Sequence, residues 1–355
     1  MTCSAGDDIA PPSTPQRPSR KYDGRCSFLP CYNLLVQSER ILSIDQFRGF
    51  AIVTMVLANY MGEVKVIPAW LNHAPDVGLT VIDFVAPFFI FAIGLTYCLS
   101  FSRRLERDGA WGTYSQFAVR YFAILGMGAV ASAVETAFGY SPNGIDWGVL
   151  QAIGVAGLMT LVVIRLPALW RWGIGVALLV IYQWVLDTYL LDLTVRSPHG
   201  GIFGAVAWGA MLILATALAD LFHDPKQRHR LFPFVSLLIL AVGIGLAFLT
   251  PVSKHRVSSS YVLITLGASA LLFLVFHWLA EGLRWQGRFL VAWGRNPLVL
   301  YFLHYVLIGL VFVPGIPFLY TDAPLWLALL EMAGLIGGIT VVAYWLDRRN
   351  LVIRL

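Results

Sequence analysis

The sequence has little charge. Asp, Glu, Lys and Arg make up 13% of its 355 residues, about half the share of an ordinary soluble domain. That scarcity excludes a water-facing surface over most of the chain. Cysteine is scarce too, with only Cys3, Cys26, Cys31 and Cys98. None pairs with a histidine at metal-ligand spacing, and all four fall on the expected cytoplasmic side, so neither a metal site nor a disulfide framework is expected. No internal repeat is visible, which removes the usual sign of an inverted-repeat secondary transporter. The first long apolar run begins too late, and without a small-residue cleavage site, to read as a secretory signal peptide.

Apolar residues are abundant: 58% of the chain is hydrophobic and 14% aromatic. They gather in runs near 45–62, 79–101, 114–136, 146–164, 170–190, 203–222, 231–250, 259–280, 297–313 and 324–346. A run of about 20 residues crosses a hydrocarbon core of about 30 Å as a helix. The spacing predicts an all-α, polytopic membrane protein of about ten transmembrane helices. Its partner is the lipid bilayer.

Charge placement agrees with that count. If the amino terminus is cytoplasmic, the outer loops hold only Lys65, Arg196, Lys254 and Arg256 of the 25 basic residues, and Arg120 lies in the third run. The other 20 face inward. This positive-inside pattern predicts both termini in the cytoplasm. It also accounts for the net charge of +5 and leaves no basic patch for nucleic acid. Residues 1–40 are rich in Pro, Ser and Arg, a composition of a disordered cytoplasmic tail; residues 41–355 form the membrane domain.

Polar residues inside apolar runs are costly and tend to face a cavity or a partner. In "SIDQFRGFAIVTMVLANY", Asp45, Arg48, Ile52, Met55 and Asn59 follow one helix stripe. Asp45 and Arg48 also fit an interfacial ion pair, and Asn59 an interhelical hydrogen bond. In "LNHAPDVGLTVIDF", His73 sits in a polar loop and Asp83 ten residues on, at the start of the next run. A lone loop histidine is usually just solvated, and an acid at a helix start is favoured by the macrodipole. Together they suit general-base or acyl-carrier chemistry, because a carboxylate fixes the imidazole tautomer. In "WGRNPLVLYFLHY", Arg295, Asn296 and His304 line the ninth run. Arg48 and Arg295 are either phosphate contacts or helix anchors, and His304 either a ligand contact or an interhelical donor. "PVSKHRVSSSY" places Lys254, His255 and Arg256 in an outer loop, a weak sign of an anionic ligand or a carboxylate partner.

The blocks "RILSIDQFRGFAIVTMVLANY", "NHAPDVGLTVIDFVAPFFIFAIG", "WGVLQAIG", "SPHGGIFGAVAW", "PVSKHRVSSSYVL" and "GRNPLVLYFLH", in this order, resemble the heparan-alpha-glucosaminide N-acetyltransferase family. The family's Gln-Arg pair is Gln151–Ala152 here. The resemblance implies an acyltransferase that moves an acetyl group from cytoplasmic acetyl-CoA to a sugar or glycan acceptor on the opposite face, with no metal. It assigns the catalytic role to His73 and matches Asn59 to a motif asparagine; the residues themselves suggest Asn59 as a carbonyl-polarising donor and Asp83 as the group orienting the imidazole. Arg48, Arg295, Asn296 and His304 are the candidate acetyl-CoA contacts. A homodimer is compatible with this reading, and no residue fixes the oligomeric state. Two alternatives stay open: a transporter whose buried polar residues line a path with His304 as a proton relay, and a non-catalytic assembly factor.

Overall fold

The computed structural model describes residues 41–62, 64–137, 147–312 and 315–353. The expected cytoplasmic tail, 1–40, lies outside the described residues. Among those described there is no strand. The helices are α1 (Leu42–Met61), α2 (Val85–Ala137), α3 (Val149–Val163), α4 (Ala168–Val185), α5 (Leu191–Val195), α6 (Gly201–His223), α7 (Leu231–Leu246), α8 (Ser259–Glu281), α9 (Arg288–Arg295), α10 (Pro297–Phe312) and α11 (Leu325–Arg348).

Helix α2 runs for 53 residues, about 80 Å if straight and far more than a bilayer needs. It does not run straight. Gly109 adopts φ 72°, ψ 179°, a conformation open to glycine, and the chain turns back there. Phe101 then meets Tyr114 at 5.3 Å between ring centroids, and Tyr97 stacks on Tyr121 at 5.6 Å. Partners that rise in one arm as they fall in the other define an antiparallel helical hairpin.

Helix α6 is the centre of the molecule. Its residues from Gly204 to Ala219 are almost all buried, and it packs against α2, α3, α4, α7 and α8. With only Thr216 and Asp220 breaking the apolar and small residues between Ala205 and Leu221, the helix has no solvated face, as expected of a segment enclosed by other helices. The α1 stripe also points inward: Asp45, Ile52 and Met55 are buried, with Arg48 and Asn59 half-buried.

Among the described residues the expected apolar runs are largely helical, though fewer of the helices are by themselves long and apolar enough to span a bilayer. Five helices among the described residues are long and apolar enough to cross a membrane, or six if α9 and α10, bent by 89°, form one broken span. The protein is thus a multi-pass membrane protein, with five or six such helices against the ten expected. The reasons are local. Helices α3 and α7 have 15 and 16 residues, about 22–24 Å long, the hairpin of α2 counts once, and α1, with Asp45 and Arg48 among its 20 residues, is not apolar enough to be counted. In α9–α10 the break falls at Asn296, before Pro297, with φ −127°, ψ 54°; a residue before proline is disfavoured in the α region. A second expectation fails outright, because Cys98 is disulfide-bonded.

The segments after α1, before α6, after α7 and after α10 meet at one end. Lys65 N–H donates to Thr321 O at 3.0 Å and Gly78 N–H to Val252 O at 2.8 Å, and a Cβ on Gly200, before α6, would stand 3.3 Å from His255 O.

Candidate functional site

The site is built where the loop after α1 runs into α2. Residues Val81–Phe84 form a single 3₁₀ turn leading into α2. Asp83, fully buried, folds back over it: its Oδ2 accepts from Thr80 N–H at 2.9 Å, the Thr80 hydroxyl at 3.0 Å and Ala74 N–H at 3.3 Å. Tyr261, fully buried in α8, donates its hydroxyl to the Asp83 carbonyl at 2.7 Å. The carboxylate is therefore held on one oxygen and offers the other, Oδ1, to His73 Nδ1 at 2.8 Å. Both readings of Asp83 hold at once: it is a helix-start acid and a histidine partner.

Because an ionised carboxylate only accepts, this network assigns the His73 proton to Nδ1 and leaves Nε2 as a lone-pair base. The ring is reachable, with 38% of its side chain exposed. Burial holds His73 below the ordinary histidine range, and Lys254 adds to that, while the hydrogen bond to Asp83 opposes it.

Lys254 comes from the loop between α7 and α8. Its Nζ lies 3.0 Å from Nδ1 and 3.1 Å from Nε2 of His73. Burial pushes this amine down to about 8, against the pull of the Asp83 carboxylate. The loop is fastened beside His73 by a fork: Arg256 Nε donates to Asp76 Oδ1 at 3.0 Å, its Nη2 pairs with Asp76 Oδ2, and Ser253 Oγ donates to Asp76 Oδ1 at 2.8 Å. The Arg256 hydrogen bond holds Asp76 below the usual carboxylate range. His199 and His255 lie within electrostatic reach of Lys254 and His73, and burial lowers both.

The other expected site residues are placed elsewhere. Asn59 Nδ2 meets the fully buried His304 Nε2 at 2.8 Å, tying α1 to α10. The three catalytic candidates thus fall into two pairs, His73 with Asp83 and Asn59 with His304. Arg48 donates to Thr96 Oγ1 in the first arm of α2. Arg295 pairs with Asp347 of α11. Asn296 binds the carboxy-terminal segment, donating to Leu351 O and accepting from Ile353 N–H, both at 2.9 Å. An open apolar groove on α4, between Trp172, Val176 and Val180, lies away from all of these on a face suited to lipid.

Residues 40–279 match the family described as "Heparan-alpha-glucosaminide N-acetyltransferase, catalytic". The chain belongs to this family. Its matched region contains His73, Asp83, Asn59 and Lys254, and stops before Arg295, Asn296 and His304. Among individual proteins, the chain is 33% identical over 124 residues to heparan-alpha-glucosaminide N-acetyltransferase of Homo sapiens, and 31% identical over 126 residues to that of Mus musculus. Each alignment covers 33% of this chain and 18% of the relative, so the chain spans under a fifth of those proteins' length.

Reading the sequence missed the position of Lys254, 181 residues from His73. A signal was present, since Lys254 and Arg256 break the charge rule in an outer loop. Their partners are the His73 ring and Asp76. The Thr80 cap was also legible, as a threonine three residues before an acid at a helix start.

Proposed function

We propose that the protein is a membrane acetyltransferase, taking an acetyl group from acetyl-CoA and passing it to an amino sugar or glycan at the His73 end. The observation that carries this reading is the His73–Asp83 pair inside the family's catalytic region: a half-exposed imidazole whose Nδ1 proton is fixed by a buried, fully satisfied carboxylate. His73 Nε2 removes the proton from the acceptor amine or hydroxyl as its N–C or O–C bond to the acetyl carbon forms. The C–S bond breaks, and the CoA thiolate leaves and takes up a proton. Asp83 stabilises the imidazolium that forms in between.

The donor's phosphates belong at the opposite end, near Arg48 and Arg295, with the thioester arm directed along the α1 stripe toward Asn59. Asn59 then polarises the thioester carbonyl through Nδ2, released from His304 for that purpose. The termini lie in the cytoplasm and the chain crosses the bilayer ten times, so the His73 end faces the far side. Family membership favours acyl transfer over transport.

The test uses purified full-length protein in detergent, labelled acetyl-CoA and a panel of amino sugars. His73→Ala is expected to lose about 10²–10⁴-fold in transfer rate with its thermal unfolding unchanged. Undiminished transfer in that variant would remove His73 from the mechanism. Sequential kinetics supports the base role, and ping-pong kinetics would make His73 an acyl carrier.

A further inference from the structure

We infer that Lys254 is a positioning residue for His73: its ammonium, held across the imidazole by the Asp76–Arg256 fork, keeps the ring available as a base. The inference rests on the acyl-transfer reading and adds to it a residue outside the His73–Asp83 pair.

The geometry is specific. A donor lying on one lone-pair axis of an imidazole is close to one nitrogen and distant from the other. Lys254 Nζ is nearly equidistant, at 3.0 and 3.1 Å, so it faces the ring between them. A cation there opposes a second positive charge on the ring. It is also kept there by design of the loop, for Lys254 is buried to 8% exposure and its neighbours Ser253 and Arg256 both grip Asp76, three residues beyond His73.

The charges around the ring define what Lys254 contributes. His73 faces Asp83 from the start of α2, Lys254 and His255 from the α7–α8 loop, and His199 from the turn before α6, with the Asp76–Arg256 pair beside them. His199 and His255 are driven toward neutrality by burial, and Asp76 is neutralised by Arg256. Asp83 favours the imidazolium, which cannot accept a proton, and burial of the ring opposes it. Lys254 opposes it too. Its amine, lowered to about 8, is mostly charged at neutral pH and below, where that influence matters.

The test reads the ring directly. Diethyl pyrocarbonate modifies unprotonated imidazole, so the modification rate of the His73 peptide, followed against pH by mass spectrometry on the full chain in detergent, reports its titration. Lys254→Met is expected to move the midpoint up by about one pH unit, a roughly tenfold slower reaction on the acidic side. Lys254→Arg, which keeps the charge, is expected to stay near the native midpoint. Lys254→Gln, uncharged but still a donor, serves if the methionine variant does not fold. An unmoved midpoint in a folded, uncharged variant overturns the inference. The acyl-transfer reading fails separately, by absence of acetyl transfer from the native protein.

Discussion

At the scale of single residues, the balance around His73 makes two substitutions act in opposite directions. Asp83 raises the histidine's proton affinity and Lys254 lowers it. Asp83→Asn therefore moves the acidic limb of the kcat/KM–pH profile to lower pH, whereas Lys254→Met moves it higher. The sign follows from which form works: the base must be unprotonated, so activity falls as pH drops through the His73 pKa, and a lower pKa extends activity downward. Asp83→Asn should also lower the plateau by about 10²-fold or more, because the amide no longer fixes the Nδ1–H tautomer. A plateau loss without displacement of the limb would leave Asp83 as a folding residue only. The His73–Asp83 pair was readable in the sequence because both residues sit in one loop–helix junction, ten positions apart. Asn59–His304 and His73–Lys254 were not, since pairs separated by 245 and 181 residues depend on how distant helices pack, which periodicity does not encode.

Among the elements, hydropathy located the long helices but not the short α5 and α9, nor the breaks between helices. Helix α9 illustrates why. Its segment Arg288–Arg295 lies outside every apolar run of the sequence, yet it is a helix pressed against α1. The contact is backbone to backbone: a Cβ on Gly49 would stand 1.8 Å from Leu290 O, and one on Gly294 would stand 2.0 Å from Asp45 O. Small residues that let helices approach this closely are the usual means of packing in membranes. Gly49→Ala must push α1 from α9, at a cost of about 1–3 kcal/mol or more, and should lower the unfolding midpoint in detergent. Gly337→Ala in α11, where an added Cβ meets nothing within 4 Å, is the control and should leave the midpoint unchanged or raise it. Equal midpoints for Gly49→Ala and the native protein would show that the α1–α9 contact is not close-packed.

For the molecule as a whole, the open matter is how many times the chain crosses the bilayer, and the loops provide the argument. Lys65 forms an ion pair with Asp322 at 2.8 Å, His73 meets Lys254, and a Cβ on Gly200 would stand 3.3 Å from His255 O, so four connections that charge counting places outside do meet at one end. The short helices α3 and α7 span too little on their own to satisfy a length criterion, but they stand within a bundle whose neighbours supply the remaining thickness, and a bilayer thins locally around a short segment at modest cost. Ten crossings place Lys65 and Arg196 on the far side and Arg107, Arg165 and Arg228 in the cytoplasm. With the four native cysteines replaced, single cysteines at 65 and 196 should react with an impermeant maleimide in intact cells. Those at 107, 165 and 228 should react only after the membrane is opened. The decisive position is 165, in the turn between α3 and α4: if it labels from outside while 107 does not, α3 fails to cross, and every later segment changes side, so that Arg295 falls opposite Arg48 and the two cannot share the donor's phosphates.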